Sequence, residues 1–350
     1  MMILHAAAPI FVFFASFSLA FAISNGSADA NEPKIAVIGS VEASIEQWKQ
    51  ADFWGAVDPA KALDVPRMFV VAVNQSWRKE ANQMTVALKK EIFFRALLPL
   101  VLYANESIRI DRKRLEMISA QHRAGSSIDD GTRRWLNELA RAYRVSVASQ
   151  AGSVLSRSEL DSIINALMQR VDRIPASLAL GQAAYESAYG TSRFTLLGNA
   201  LFGQWTFDGS GIAPAEQRAW KGNYKIASFD WPLESVHAYM RNLNTHQAYQ
   251  PLRTLRMQLR KKSRMATGME LAGTLLNYSE KGEEYVQTLR SIIRTNGLEV
   301  ADTAHLRDED PVLVVNVDND AEVREMQREI ERLRISGELG RLIESMQIRH

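Results

Sequence analysis

Apolar residues recur at intervals of three and four over most of the chain, which is the spacing of amphipathic helices. The pattern is clear from about residue 65 to 124, where Pro99 is expected to kink or divide the helix. A further helix is predicted over 175–189, with its proline in the first turn. Helical spacing returns over about 232–296, so the pattern predicts a mainly α protein.

Other patterns occupy the stretch between these helices and the end of the chain. Residues 198–230 are rich in glycine and aromatic residues, and they predict two short strands around a turn, a small β-lobe. The sequence PVLVVNVD, residues 311–318, predicts another strand. An amphipathic helix is expected over 320–347, although Gly337 interrupts its heptad spacing. That helix either docks a protein partner or covers the protein's own core, and the pattern leaves both interpretations open.

The first residues differ from the rest of the chain. An apolar run over 6–22 contains no lysine or arginine and ends in Ala-Phe-Ala, which is typical of a cleaved secretory signal. Its length also fits an uncleaved membrane anchor, and both interpretations predict a periplasmic or cell-envelope protein. Residues 23–60 look like a polar tail. The expected division is 1–30, signal peptide or membrane anchor; 31–150, helical N-terminal region; 151–298, central domain; and 299–350, C-terminal strand and helix extension.

Composition narrows the classes of function. The chain has 42 basic and 40 acidic residues, a balance that gives no basis for nucleic-acid binding, and the basic run over 240–265 is expected to be a solvated helix face. It has no cysteine, which excludes disulfides and thiolate chemistry. The six histidines show no metal-ligand spacing, and no phosphate-binding loop is present, so no metal and no cofactor are expected.

A single carboxylate interrupts the most apolar helix. Between Arg173 and Arg193 only Glu186 carries a charge, and on a helical wheel it shares an arc with Gln182 and two tyrosines. Burial would raise the pKa of this carboxyl, as the general acid of a glycosidase requires. A structural glutamate bonded to a helix terminus or to Arg193 is the alternative, and the chemistry alone leaves both open.

The residues around Glu186 resemble a known family. The stretches Gln182–Ser187, Gly190–Phe194 and Gly198–Trp205, with ESVHAYMRNLNTHQAY (234–249) and LLNYSEKGEEYVQTLRSII (275–293), are similar to the glucosaminidase-type peptidoglycan hydrolases. The likeness is greatest to their Bax-protein branch. These matches occur in order over much of the central domain, and no resemblance is evident after about residue 300.

The resemblance implies a lysozyme-like α+β fold with a small β-lobe, and hydrolysis of the β-1,4 bond after N-acetylglucosamine in peptidoglycan glycan strands. Glu186 would be the general acid, and Tyr278 would match the family's active-site tyrosine. The substrate-binding residues implied are Tyr189, Phe202, Gln204 and Trp205, whose aromatic rings suit sugar stacking. This chain departs from the family pattern with Tyr189 in place of tryptophan and Ala200 in place of asparagine.

The residue that would activate water is less defined. Glu216 in the β-lobe is the preferred candidate, with Asp208, Asp230 and the substrate's own N-acetyl group as alternatives. Two other functions remain open on the same fold. One is muramidase or lytic transglycosylase cleavage, and the other is a non-catalytic protein for cell-wall binding or assembly.

Overall fold

The computed structural model describes residues 33–58, 61–146, 156–206, 211–214 and 224–346. The predicted signal or anchor segment therefore lies outside the described residues, as do Asp208 and Glu216. Among the helices described, none combines the length and apolar character that crossing a bilayer requires.

The N-terminal part of the chain forms strands as well as helices. Residues 34–38 of the predicted polar tail are a strand, and a helix follows them, so that prediction was wrong. The elements are β1 (Lys34–Ile38), α1 (Val41–Gln50), β2 (Asp64–Val65), β3 (Met68–Val70), α2 (Trp77–Gln83), α3 (Val86–Arg123) and α4 (Asp130–Ala142).

Helix α3 continues through Pro99, so of the two effects predicted for the proline, a kink or a division, the division does not occur. Thr85 caps its start by accepting a hydrogen bond from the Leu88 N–H at 3.3 Å. Every residue from Leu97 to Ala104 is buried, and the packing of this segment offsets the backbone hydrogen bond that proline cannot make.

The central part of the chain follows the predicted order. Ser156 caps the first helix in a capping box with Glu159, and Pro175 precedes the second helix as its N-cap. The elements are α5 (Arg157–Arg170), α6 (Ala176–Ser187), α7 (Arg193–Gly198), β4 (Trp205–Thr206), β5 (Lys225–Ile226) and α8 (Pro232–Thr245). Strands β4 and β5 pair antiparallel, as the two-strand prediction required.

The C-terminal part contains short elements in sequence. They are a 3-10 turn (Gln247–Tyr249), α9 (Gln250–Lys261), α10 (Gly268–Ala272), α11 (Glu283–Thr295), a second 3-10 turn (Leu298–Asp302), β6 (His305–Leu306), β7 (Val312–Asn316), α12 (Asp320–Ile335) and α13 (Glu338–Ser345). The single helix predicted over 320–347 is two helices, because Gly337 adopts a left-handed φ of 71° between them.

A parallel sheet joins the two ends of the described chain. Its order is β1-β7-β3, with Lys34 opposite Val312 and Met68 opposite the same Val312. The central strand is therefore supplied by the C-terminal extension, and both outer strands come from the N-terminal region. Helices α12 and α13 bury Ile330, Leu333, Leu339 and Ile343, which is what the core-covering interpretation expects.

Helix α6 lies at the centre of the molecule. All of its residues except Tyr185 and Glu186 are buried. A side chain at Gly181 would place its Cβ 3.0 Å from Leu289 Cδ1 and 3.1 Å from Ile293 Cγ1, so glycine allows α11 to pack closely against α6. The prediction of a mainly α protein with a few small strands is confirmed.

A buried ion cluster fixes the segment that enters α6. Asp172 Oδ2 lies 3.4 Å from Arg112 and 3.6 Å from Arg256, and Asp172 Oδ1 lies 2.5 Å from Arg260. Burial would raise the pKa of Asp172, but the arginines outweigh burial and lower it. Arg256 is buried, so the basic run over 240–265 is not simply a solvated helix face.

Candidate active site

Glu186 lies at the last turn of α6, where the backbone changes direction sharply. Ala188, Tyr189 and Gly190 have consecutive positive φ angles of 50°, 58° and 80°. Two of these are not glycine, so the turn stores about 1 kcal/mol or more per residue. The Ser187 hydroxyl accepts from the Gly190 N–H at 2.8 Å, and Trp77 Nε1 donates to the Tyr189 carbonyl at 3.0 Å, which holds this conformation.

A chain of buried hydrogen bonds ends on the Glu186 carboxyl. The Tyr239 hydroxyl donates to Gln182 Oε1 at 2.7 Å, and Gln182 Nε2 donates to the Tyr285 hydroxyl at 2.9 Å. Tyr285 then donates to Glu186 Oε1 at 2.9 Å. Because Gln182 occupies the acceptor side of the Tyr285 oxygen, the proton of Tyr285 is directed to Glu186.

The second carboxyl oxygen has different surroundings. A Cβ built on Gly203 would lie 3.8 Å from Glu186 Oε2, and Gly203 has a φ of 61°. Since Oε1 already accepts from Tyr285, a proton on the neutral carboxyl is placed on Oε2. Because Gly203 has no side chain, space remains in front of Oε2, the oxygen that carries the proton.

Aromatic rings surround this carboxyl. Tyr278 stacks on Tyr285 with centroids 5.4 Å apart, and Tyr185 meets Tyr285 edge-on at 5.2 Å. Tyr249 lies 5.7 Å from Tyr278. Burial raises the pKa of Tyr278 well above its usual value, so its hydroxyl stays protonated and can donate.

Burial raises the pKa of Glu186 to about 7, although the Tyr285 hydroxyl opposes the shift. Within the described part of the chain, no basic side chain forms an ion pair with Glu186. Arg193, the partner considered for a structural role, donates to the Ala213 carbonyl at 2.5 Å instead. The carboxyl can therefore exchange a proton near neutral pH.

Tyr278 and Phe202 meet beside Glu186 through a side-chain hydroxyl and a backbone carbonyl. The Tyr278 hydroxyl lies 3.5 Å from the Phe202 carbonyl oxygen. The Phe202 ring is buried and stacked on Tyr239 at 3.9 Å, so it has no free face for a sugar, contrary to the expectation that it lines the cleft. Phe202 contributes its backbone to the site.

The other predicted substrate-binding residues lie in two places. The Tyr189 ring packs edge-on against Phe93 and Phe94, at 5.8 and 5.9 Å, on α3 rather than against the Glu186 carboxyl. Trp205 is 46% exposed and tilts over Tyr224 at 4.6 Å. Gln204 lies between Trp205 and Gly203, and its Oε1 is buried without a hydrogen-bond partner among the described residues.

The described residues include none of the acidic candidates for water activation beside Glu186. Glu216 and Asp208 lie outside the described residues. Asp230 is exposed, and its backbone N–H donates to Glu234 Oε2 at 2.9 Å, so these two groups support the start of α8. In the ranges that the structure describes, no cluster of three or more histidine, aspartate or glutamate residues could hold a metal ion.

The sequence interpretation assigned no role to Tyr285, Tyr239 or Gly203. Only the four-residue spacing of Gln182 and Glu186 signalled a shared face of α6. Tyr285 lies 99 residues from Glu186 in the chain, and no local pattern could pair them.

Known proteins match the part of the chain that contains this site. A family model described as mannosyl-glycoprotein endo-beta-N-acetylglucosaminidase matches residues 162–298, which include Glu186, Tyr278 and Tyr285. The chain is 32% identical over 209 residues to protein Bax of Escherichia coli (strain K12), covering 59% of this chain and 70% of that protein. No solved structure gives a significant match.

Proposed function

Because this chain belongs to the glucosaminidase family, in the branch of protein Bax, we propose that it is an exported peptidoglycan hydrolase that cleaves the β-1,4 bond after N-acetylglucosamine. The family match confirms the resemblance found in the motifs, and it indicates a glycoside hydrolase-like enzyme acting on a glycan. The observation that carries the proposal is the Glu186 carboxyl, whose pKa is raised to about 7 in a cluster of tyrosines.

In the proposed mechanism Glu186 is the general acid. Its proton passes from Oε2 to the glycosidic oxygen as the bond from that oxygen to the anomeric carbon breaks, and the leaving sugar departs as a neutral alcohol. Tyr285 holds Oε1 throughout, and it stabilises the carboxylate that the proton transfer creates. The hydroxyl of Tyr278 is a second donor at the same place, and it would exchange its long bond to the Phe202 carbonyl, 3.5 Å away, for a bond to the substrate.

A water molecule then attacks the anomeric carbon, and its proton must be accepted by a second group. We assign the acceptance of this proton to Glu216. In the alternative, the N-acetyl oxygen of the substrate attacks the anomeric carbon first, and water attacks afterwards. Export is proposed from the apolar run over 6–22, with the periplasm or cell envelope as the site of action.

The products of sacculus digestion test the proposal. Residues 31–350 would be purified and incubated with sacculi, and the new reducing ends identified by mass spectrometry. New reducing N-acetylglucosamine ends are expected. Reducing or anhydro N-acetylmuramic acid ends would replace the proposal by muramidase or transglycosylase cleavage, and binding with no new ends would leave a wall-binding protein.

The matched control is Glu186→Gln, which keeps the size of the side chain and its hydrogen bond from Tyr285. We expect cleavage to fall by about 100-fold or more, because the amide cannot give up a proton to the leaving oxygen. Cleavage near the wild-type rate would show that another residue is the acid.

A further inference from the structure

A cavity of about 580 Å³ lies along the β-lobe and α8, and the catalytic argument does not use it. It is lined by Gln204 and Trp205 on one side and by Trp231, Glu234 and His237 on the other. Neither Glu186 nor Tyr278 lines it. Its size fits a small ligand or one side branch of a larger one.

Two buried polar atoms in this lining have no partner within the described part of the chain. They are Gln204 Oε1 and His237 Nε2. Burial, with Arg241 adding to it, lowers the pKa of His237 to about 4, so the imidazole is neutral at physiological pH. An amide oxygen and a neutral imidazole left unpaired are costly unless water or a ligand supplies hydrogen-bond partners, and both atoms are therefore available to a ligand that enters the cavity.

Two arginines complete the lining and give it a positive charge. Arg144 and Arg241 are exposed, and neither forms an ion pair with any residue that the structure describes. Glu234 is the one acidic group among the described residues of the lining, and its Oε2 already accepts from the Asp230 N–H at 2.9 Å. Two guanidinium groups and the apolar surface of Trp231 in one lining suit a carboxylate-bearing ligand with an apolar part.

The chain segment after Gly203 connects the surroundings of the catalytic carboxyl to this cavity. Gly203 faces Glu186 Oε2, and the next two residues of the chain, Gln204 and Trp205, line the cavity. A glycan bound at Glu186 could therefore place a branch into it. Peptidoglycan carries such branches, which are short peptides with free carboxylates.

We propose that this cavity binds the acidic stem peptide of peptidoglycan, and that Arg144 and Arg241 recognise its carboxylates. The inference rests on the proposed function for the identity of the glycan. It makes the protein selective for strands that retain their peptides, a property that the Glu186 site does not supply.

Binding and cleavage test the inference separately. Soluble stem peptide would be titrated into the Glu186→Gln variant by calorimetry, and saturable binding is expected. The same peptide with its carboxylates amidated should bind at least about tenfold more weakly, because the arginines then lose their charged partners. Equal binding of the two peptides, or no binding of either, would overturn the proposal.

The cleavage arm compares strands with and without their stem peptides. The double variant Arg144→Gln/Arg241→Gln should lose about tenfold in kcat/KM on peptide-bearing strands and less than about twofold on peptide-free strands. Arg141→Gln/Arg294→Gln removes the same charge from two exposed arginines outside the cavity, and it should leave both rates unchanged. Equal losses of kcat/KM on both kinds of strand, or no loss on either, would show that the cavity takes no part in substrate recognition.

The two proposals fail in different ways. Wild-type protein that cleaves neither kind of strand contradicts the proposed function, while peptide titration still reports on the cavity. Wild-type protein that cleaves both strands equally, with no effect of the arginine variants, contradicts only the stem-peptide proposal.

Discussion

The carboxyl of Glu186 combines two demands that oppose each other. Removal from water favours its neutral form, while the Tyr285 hydroxyl favours the carboxylate. The balance leaves a pKa of about 7, in the range where an acid can both hold a proton and give it up. The burial that raises the pKa of Glu186 into this range also destabilises the folded protein when the carboxyl is ionised.

That balance predicts a pH-dependent effect of Glu186→Gln on stability. Between about pH 4.5 and about 7 the folded protein keeps a proton on Glu186 that the unfolded chain releases, so stability falls as pH rises through this window. The glutamine variant lacks this loss. Its free energy of unfolding should match wild type near pH 4 and exceed it by up to about 3 kcal/mol near pH 8.

Urea unfolding of both proteins at the two pH values measures this difference. A variant that gains nothing at the higher pH would show that Glu186 ionises at an ordinary pKa in the folded state.

Tyr285→Phe should move the pH dependence of cleavage. The hydroxyl lowers the pKa of Glu186, so removing it raises that pKa further and shifts the alkaline limb of kcat/KM to higher pH, by about half a unit to one unit. Tyr185→Phe is the matched control, because it keeps the ring that meets Tyr285 edge-on and removes a hydroxyl that bonds Lys281. An unchanged alkaline limb in Tyr285→Phe would mean that the hydrogen bond does not set the acid's pKa.

At the scale of elements, the start of α6 depends on a residue beyond the family match. Asp302 accepts from the Ser177 N–H and hydroxyl and from the Gly268 N–H, each at 2.9 Å. It thereby satisfies the first turns of α6 and α10 together. Asp302, in the 3-10 turn at the start of the C-terminal extension, therefore stabilises the first turn of the helix that carries Glu186.

Asp302→Ala should destabilise the protein by about 2–4 kcal/mol, because two buried backbone donors and one hydroxyl lose their acceptor. Glu299→Ala, an exposed acid in the same turn, should change stability by less than about 0.5 kcal/mol. Thermal unfolding compares the two variants. Equal melting temperatures would contradict the capping role.

Helix prediction succeeded where burial and local spacing agreed, as in α6 and α8. The division considered at Pro99 does not occur, because the packing of α3 on both sides of the proline outweighs its local preference. The prediction of a polar tail was wrong at Lys34–Ile38, since a five-residue strand becomes stable only through partners that are distant in the chain.

At the scale of the whole molecule, β7 holds the two ends of the described chain together. It pairs with β1 on one side and β3 on the other, and its Leu313 is 2% exposed. Leu313→Ala should cost about 2–4 kcal/mol through the cavity it leaves in this layer. Val86→Ala, at a site 63% exposed, is the control and should have little effect.

Urea unfolding followed by both circular dichroism and activity measures the coupling of this sheet to the site. We expect both signals to be lost together in Leu313→Ala. A variant that loses the sheet while keeping cleavage would show that the C-terminal extension folds independently of the catalytic region.

The sequence by itself determined the helical character, the two-strand β-lobe, the family and the isolated charge of Glu186, because spacing, turn residues and motifs are local properties. Only the tertiary structure decided what surrounds that charge. Tyr285, Gln182 and Tyr239 come from three different helices, and the order of the sheet pairs strands from opposite ends of the chain. Such contacts depend on how distant elements pack, and burial by that packing is what raises the pKa of Glu186.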